Sequence, residues 1–343
     1  DEDRFKQRRL VPMTRHRKKD RKRRPASIPS LTPAQVPATL AASVAQQQRG
    51  NLEQARQGYL AVLKIEPRNA NARNGIGTLA LQRSDLERAI TALLDAVMLP
   101  PDNTGFQMNL AVAKDRCGEL DPAREHYRKA IALDPGFRDP YHNLANTWLQ
   151  SGDPERAIAT LDACLKTNGR DFHALAYYAH ALRDAGRDAE AATLLSHEQL
   201  VHSFAFDAVD GFAHLEAFNA AASEYVQNHP SLTANAMATV GGRHTGELLG
   251  DSNGPLFAFE PIIHRAVRWY LARLPADANQ PMVQWAPRLW KLTSWGVAMD
   301  SGGYERTHIH PKGWLSGVLY LVLPDVVRAT PGANNDHAGW LRF

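Results

Sequence analysis

The sequence predicts a multidomain fold class in which an α-helical solenoid comes first and an α+β region follows. Three observations support this prediction. A regularly repeating residue pattern runs from Val36 to about Leu200. The pattern then stops, and two segments with helical periodicity take its place. From Arg288 onward, alternate residues share a face in the manner of a β-strand.

Composition narrows the class of protein further. The chain has 343 residues, 44% of them hydrophobic, which suits two or three globular domains. Its apolar runs are all shorter than the roughly 18 residues that a membrane-spanning helix needs, so we expect no membrane partner. Cys117 and Cys164 are the only cysteines, which is typical of a reducing compartment and predicts a cytoplasmic location.

The first 35 residues read as a basic tail and a linker. Residues 1–24 hold twelve Lys and Arg residues against four acidic ones, a net charge of +8. Because the whole chain carries +4, the remainder carries −4. A basic arm can contact nucleic acid or anionic lipid. Without interleaved aromatic residues it is more typical of a solvated, disordered end, and we predict no specific nucleic-acid partner.

Residues 36–200 contain five repeat units of equal length, each with the signature of two antiparallel helices and a turn. A glycine or serine allows the turn, an alanine permits close helix approach, and a large residue fills the space beside it. A unit of this size cannot bury its apolar face alone, so five units are expected to stack. The three series are Gly50, Ser84, Gly118, Gly152 and Gly186; Ala55, Ala89, Ala123, Ala157 and Ala191; and Tyr59, Leu93, Tyr127, Leu161 and Leu195.

The spacing within each series is about 34 residues, and the pattern resembles the tetratricopeptide (TPR) repeat. The resemblance implies a right-handed α-solenoid whose concave groove holds a protein or peptide partner. Amide side chains along such a groove can hydrogen-bond to a peptide backbone. The alternative is a spacer that only fixes domain geometry. The candidate partner-binding residues, from the first helix of successive repeats, are Arg73, Asn74, Asn109, Asn143 and Tyr177.

The region after the repeats begins with helices and ends with strands. Residues 211–229 and 256–274 show apolar spacing near 3.6 and are predicted to be helices. Residues 239–254 are rich in glycine and are predicted to be a loop. From Arg288, two partly apolar faces alternate as far as Val297, as expected of a strand inside a sandwich.

One constellation in this region is suited to chemistry, the pair His308 and His310. Residues i and i+2 of an extended strand point to the same face, so both imidazoles could reach one ion. Tyr304 and Trp314 flank the pair as candidate pocket residues, and Val318–Leu323 predicts a buried strand. The alternative is a pair of histidines that are exposed or hydrogen-bonded and bind no metal.

The block from Tyr304 to Pro324, with residues 290–295 before it and 339–343 after it, resembles a family of Fe(II)/2-oxoglutarate-dependent oxygenases. The resemblance is good over the C-terminal stretch that these segments span and loose over residues 203–287. It implies a partial double-stranded β-helix, or jelly-roll, over residues 201–343. It also implies Fe(II) and 2-oxoglutarate as cofactors, with His308 and His310 as metal ligands.

The chain departs from that family in two respects. His310 stands where most such oxygenases carry an Asp. The distal histidine and the 2-oxoglutarate-binding Arg or Lys of the family would lie beyond Phe343, because His337 precedes their expected place. We therefore assign no third ligand and no residue binding 2-oxoglutarate, and we expect the domain to be incomplete at its C-terminus.

Together these observations predict a TPR-containing dioxygenase that hydroxylates a protein or peptide substrate held by the repeats. Two alternatives stay open. The chain could be a non-catalytic TPR adaptor for protein–protein interaction. It could also be a cupin-like metal enzyme that works without 2-oxoglutarate, although residues 311–320 lack the carboxylate that would favour this.

Overall fold

The computed structural model describes residues 31–100, 102–234, 238–276, 280–306, 310 and 313–323. A 3₁₀ turn at Pro33–Gln35 leads into a series of antiparallel helices. Helices α1 to α10 are Val36–Gln48, Leu52–Ile65, Ala70–Gln82, Leu86–Val97, Thr104–Arg116, Leu120–Leu133, Asp139–Gln150, Pro154–Asn168, Phe172–Asp184 and Asp188–Leu194. Each helix packs against the next, and the first helices of adjacent pairs also touch. The predicted solenoid is confirmed.

The turn within each helix pair requires a backbone conformation that favours glycine. Gly50, Gly118, Gly152 and Gly186 have φ between 70° and 80°. Ser84 occupies the same position in the second pair with φ 59°, the only positive φ of a non-glycine residue in the described part of the chain. The left-handed region brings Cβ close to the following carbonyl oxygen, which explains why glycine recurs at this position.

The repeated alanines and large residues form the core of the solenoid. All five alanines of the series are fully buried, as are Leu93, Tyr127 and Leu161. Close approach of helices is extreme at Gly75, where an added Cβ would lie 2.5 Å from the Tyr59 ring. The fifth large residue, Leu195, is only half-buried because α10 ends at Leu194, one residue before it.

A second set of elements follows the solenoid. These are α11 (His197–Leu200), α12 (Leu215–Asn228), β1 (Thr239–His244), α13 (Pro255–Leu271), α14 (Pro281–Gln284) and β2 (Val297–Glu305). Helices α12 and α13 coincide closely with the two predicted helical segments. They enclose a separate core built from Val209, Phe218, Ala222, Val226, Leu248, Leu256 and Ile262. No helix of the described residues is both long and apolar enough to cross a bilayer.

Strands β1 and β2 form a two-stranded antiparallel sheet. The prediction that residues 239–254 are all loop is therefore wrong for β1. The register shifts between Val240 and Gly242, opposite residues 300–303 of β2, and Gly241 at the shift has φ 64°. A glycine in this conformation is typical of a β-bulge. Gly241 is thus the single residue of β1 that faces the four residues 300–303 of β2.

The strand predicted from Arg288 begins only at Val297, so that prediction is wrong for residues 288–296. This segment runs beside residues 245–248, but side chains replace part of the backbone ladder. The Gly296 N–H donates to Thr245 Oγ1 (2.8 Å), and the Ser294 N–H donates to Glu247 Oε1 (2.9 Å). The predicted alternation of exposed and less exposed side chains is present. However, Leu289 and Trp295 lie on the exposed face, so this face is not buried inside a β-sandwich as predicted.

Residues 318–323 were predicted to be a buried strand, and this prediction is also wrong. They do not form a strand, and the Val318 and Val322 residues are 62% and 63% exposed. Leu321 alone of this run packs against the second core. A strand buries alternate side chains by pairing within a sheet, and the sheet of the described residues consists of β1 and β2 alone.

Gly118→Ser is expected to destabilise the protein by about 1 kcal/mol, because serine would have to adopt the left-handed conformation. An added Cβ at Gly118 meets nothing within 4 Å, so crowding makes no contribution. Urea unfolding followed by circular dichroism measures the effect. Ser84→Gly is the reciprocal variant and should be neutral or stabilising. A Gly118→Ser protein as stable as the unsubstituted one would contradict this explanation of the repeat.

Candidate functional site

His310 lies at the end of the segment that follows β2, and His308 lies outside the described residues. The His310 side chain is exposed, and its ring contacts the Trp295 indole at a centroid distance of 5.2 Å. The Gly313 N–H donates to the His310 carbonyl oxygen (2.9 Å). The structure therefore places His310 at a solvent-facing position against one aromatic side chain.

Sequence reasoning missed a second histidine beside the same indole. The ring of His244, the last residue of β1, stacks on Trp295 at 5.8 Å with an interplanar angle of 21°. His244 Nδ1 is 2.5 Å from the Thr245 carbonyl oxygen. A carbonyl oxygen only accepts, so Nδ1 carries a proton and a neutral ring presents its lone pair at Nε2. Trp295 thus contacts both imidazoles. The alternation of residues 239–244 could have signalled a strand ending in a histidine.

The loop that carries Trp295 is fixed on both sides of the indole. Glu247 Oε1 accepts from the N–H groups of Ser294 (2.9 Å) and Leu249 (3.0 Å). Thr245 N–H donates to the Gly296 carbonyl oxygen (2.9 Å), and the Gly296 N–H donates back to Thr245 Oγ1. Hydrogen bonds to a carboxylate are stronger than those between neutral groups. The indole is thereby held where it contacts His310.

The two candidate pocket residues occupy different surroundings. Tyr304 is opposite Val240 in the sheet and is 55% exposed. The Trp314 indole N–H donates to the Met282 carbonyl oxygen (3.1 Å), and the ring packs edge-on against Tyr270 (5.9 Å). Trp314 therefore anchors its segment to α13 and α14. A pocket role for either side chain stays a prediction.

Helices α13 and α14 are in turn seated on the last repeat. The Tyr270 hydroxyl donates to the Leu200 carbonyl oxygen (2.7 Å), and Gln280 Nε2 donates to the Leu194 carbonyl oxygen (2.9 Å). Both side chains are buried, and burial raises the pKa of the Tyr270 hydroxyl. A ring contact between Phe172 and Trp285 at 5.2 Å completes this seat.

The predicted partner-binding residues of the second and third repeats already have partners within the chain. Arg73 donates to the Pro67 carbonyl oxygen (2.8 Å) and forms an ion pair with Asp95. The Asn109 amide donates to Asn74 Oδ1 (2.9 Å). The structure thus brings Asn74 and Asn109 together across adjacent repeats. A peptide backbone would have to replace this bond or use the remaining amide groups.

The other two predicted groove residues lie on α7 and α9. Asn143 is half-buried and lies near the Tyr127 hydroxyl. Tyr177 is half-buried, and its ring lies 5.0 Å from that of His173. Partner binding by these residues stays a prediction.

Comparison with known protein families assigns two classes to this fold. Residues 40–103 and 118–175 match tetratricopeptide repeat models. The chain therefore contains a TPR solenoid. Residues 293–342 match the model described as "Putative 2OG-Fe(II) oxygenase". The segment that carries Trp295, His308 and His310 thus matches part of an oxygenase model, and both resemblances drawn from the sequence are confirmed.

Individual relatives match part of the chain. It is 32% identical over 120 residues to the TPR repeat-containing protein PA4299 of Pseudomonas aeruginosa, covering 35% of this chain and 48% of that protein. The match therefore spans about half the length of that relative. A crystal structure of MamA protein is similar over 51% of this chain and 99% of its own, with 20% identity and a TM-score of 0.44. The pilF structure of Pseudomonas aeruginosa is similar over 48% of this chain and 76% of its own, with 20% identity and a TM-score of 0.42.

Tyr270→Phe is expected to destabilise the protein by about 1–2 kcal/mol, because the Leu200 carbonyl oxygen loses its donor inside the interface. The matched control is Tyr304→Phe, which removes the same hydroxyl from an exposed ring and should change stability by less than about 0.5 kcal/mol. Thermal unfolding measures both. Equal effects of the two substitutions would contradict the role given to Tyr270.

Proposed function

We propose that this protein is an Fe(II)/2-oxoglutarate-dependent dioxygenase that hydroxylates a protein or peptide substrate held by its TPR repeats. One observation carries the proposal. The segment matching the oxygenase family contains a histidine that is exposed to solvent and fixed against an indole. A metal ligand needs this combination of access and restricted rotation.

The donor set supports iron as the metal. Imidazole nitrogens suit Fe(II), and His308 and His310 are the two residues that would hold it. His310 in place of the usual Asp would leave the ion with one negative charge less. When bound, Fe(II) and 2-oxoglutarate supply oxidative decarboxylation, in which O₂ hydroxylates a C–H bond and succinate and CO₂ are released.

The described residues would prepare this site in two ways. Trp295 contacts the His310 ring, and its loop is tied to Thr245 and Glu247, so the imidazole loses little rotational freedom on binding. The exposed surroundings of His310 would admit a chain segment as large as a peptide. His244, on the same indole, offers Nε2 as a hydrogen-bond acceptor near that surface.

The solenoid would supply the substrate. A partner held in its groove is confined near the oxygenase segment, which raises its effective concentration there. The hydrogen bonds of the α13–α14 region to the last repeat connect the two parts through direct contacts.

We further propose that residues 36–200 and 201–343 are separate domains, with 1–35 as a tail, and that the second is a partial jelly-roll. Both cysteines are free thiols, which supports a cytoplasmic location.

The full-length protein, with the distal histidine and the 2-oxoglutarate-binding residue that the family resemblance implies, is expected to convert 2-oxoglutarate to succinate when it is loaded anaerobically with Fe(II) and O₂ is admitted. The double variant His308→Ala/His310→Ala should lose bound iron and at least about 100-fold of this turnover, because both assigned ligands are removed. Succinate and iron are measured on the same samples by mass spectrometry.

The matched control is His180→Ala, which removes an exposed imidazole from α9 in the solenoid and should leave turnover unchanged. Undiminished turnover in the double variant would overturn the ligand assignment. Full iron occupancy without any succinate would overturn the dioxygenase proposal.

The second candidate function is a non-catalytic TPR adaptor. The two repeat matches, over residues 40–103 and 118–175, support partner binding independently of the oxygenase match over residues 293–342. An adaptor would retain a bound peptide unmodified in the presence of Fe(II), 2-oxoglutarate and O₂. A dioxygenase would add the mass of one oxygen atom to it, so intact-mass analysis of the bound peptide separates the two functions.

A further inference from the structure

Three side chains of different chemistry meet inside the solenoid. His142 is on α7, Cys164 is on α8, and Asp171 is the N-cap of α9. One ligand atom from each lies within 4.8 Å of the other two, and their exposures are 6%, 0% and 5%. Among the described residues this is the group of side chains with metal-ligating spacing. It lies far along the chain from His308 and His310, and the proposed oxygenase function does not use it.

The separations are close to those of a tetrahedral zinc site. His142 Nε2 is 2.9 Å and Cys164 Sγ is 3.8 Å from the same oxygen, Asp171 Oδ2. With bonds of about 2.0–2.3 Å, neighbouring donor atoms around Zn²⁺ lie about 3.3–3.6 Å apart. The two distances to Asp171 Oδ2 thus lie within about half an ångström of these values, and the His142 and Cys164 donor atoms lie within 4.8 Å of each other.

A second layer of contacts fixes the donors. Asp171 Oδ1 accepts from the Ala174 N–H (3.0 Å), which orients the carboxylate and leaves Oδ2 toward His142 and Cys164. The Asn168 amide lies 3.8 Å from Cys164 Sγ as a donor. The His173 ring stands 4.3 Å from that of His142, beside the three donors. Metal sites depend on such outer contacts to orient their ligands.

The charges also suit a divalent cation. One carboxylate, one thiolate, a neutral imidazole and Zn²⁺ sum to zero charge, and the partly exposed Arg138, whose Nε lies 3.8 Å from Asp171 Oδ2, adds one positive charge beside them. The three ligands therefore neutralise the ion itself, which makes it far less costly to bury than an unpaired ion.

We propose that His142, Cys164 and Asp171 bind a structural Zn²⁺ ion that ties α7, α8 and α9 together. Thiolate, imidazole and carboxylate together favour zinc over the harder divalent cations. On binding, the Cys164 proton leaves to solvent as the Zn–S bond forms. The imidazole coordinates through Nε2, so the proton that Nε2 shares with Asp171 in the absence of the ion is given up to solvent, and Nδ1 carries the remaining ring proton. Three protein ligands leave one tetrahedral position for a further donor.

The proposed ion would lie next to the interface between the last repeat and α14. Asp171 is flanked by Arg170, which donates to the Gln284 carbonyl oxygen (3.2 Å), and by Phe172, which contacts Trp285. An ion at Asp171 would hold the start of α9, and with it both contacts to the α14 region.

The test uses the full chain folded in the presence of Zn²⁺ or Co²⁺. We expect about one equivalent of zinc to persist through gel filtration, and a thiolate-to-cobalt charge-transfer band in the Co²⁺ form. Cys164→Ala should abolish the band and lower zinc affinity at least about 10-fold. This variant should still fold, because alanine occupies the equivalent buried positions Ala96 and Ala130. Circular dichroism verifies that the helices are retained.

Two controls make the result specific. Cys117→Ala removes the exposed cysteine of the chain and should keep the band. The double variant His308→Ala/His310→Ala should also keep it, which separates this site from the proposed iron site. Absence of the band in the unsubstituted protein, or its survival in Cys164→Ala, would overturn the proposal. In the first case the three residues form only a hydrogen-bonded packing cluster.

Discussion

The arrangement of the region after the solenoid depends on the buried hydrogen bonds between the last repeat and the α13–α14 region. Gln280 and Tyr270 are almost completely buried there and donate to the carbonyl oxygens of Leu194 and Leu200. A buried carbonyl oxygen that loses its donor costs about 1–3 kcal/mol, so these two bonds define where the helices can sit. Tyr270 then contacts Trp314, which follows His310 closely in the chain. A continuous series of contacts therefore connects the solenoid with the candidate metal ligand.

The solenoid could be predicted from the sequence because each of its constraints is local and repeated. The turn position requires a positive φ, the alanine allows close approach, and the large residue fills the gap, so the same residue types return once in every repeat. The one non-glycine residue at the turn position could also be recognised from the sequence, and Ser84 does keep the positive φ of the turn. Leu195 departs from the pattern because α10 ends at Leu194. No residue type in the repeat unit predicts that this helix ends early.

The region after the solenoid could be predicted only in part, because its contacts join residues distant in sequence. The alternation before Val297 was real, but the Thr245 and Glu247 side chains take N–H groups that a strand would have used. His244 was missed because its importance comes from Trp295, which lies far along the chain. Similarly, Cys164 reads as a small packing residue until Asp171 and His142 are seen beside it.

These features suggest a division of labour along the chain. The repeats form a solenoid, and the last repeat contacts α13 and α14. The segment that matches the oxygenase model is attached to α14 through Trp314, and its His310 is exposed to solvent. The His142–Cys164–Asp171 cluster lies in the repeats that form the anchor, so an ion there would stiffen the part on which the oxygenase segment rests. Substrate selection and chemistry would then be separate tasks joined by one interface.

The most direct test of this coupling is hydrogen–deuterium exchange of the full chain carrying Gln280→Ala. The substitution removes the donor to Leu194 and the acceptor for the Val283 N–H. We predict faster exchange at residues 195–200 and 313–323 as well as at 281–285, with no such change in the exposed control Gln227→Ala. Faster exchange confined to residues 281–285 would contradict the claim that the last repeat positions the oxygenase segment.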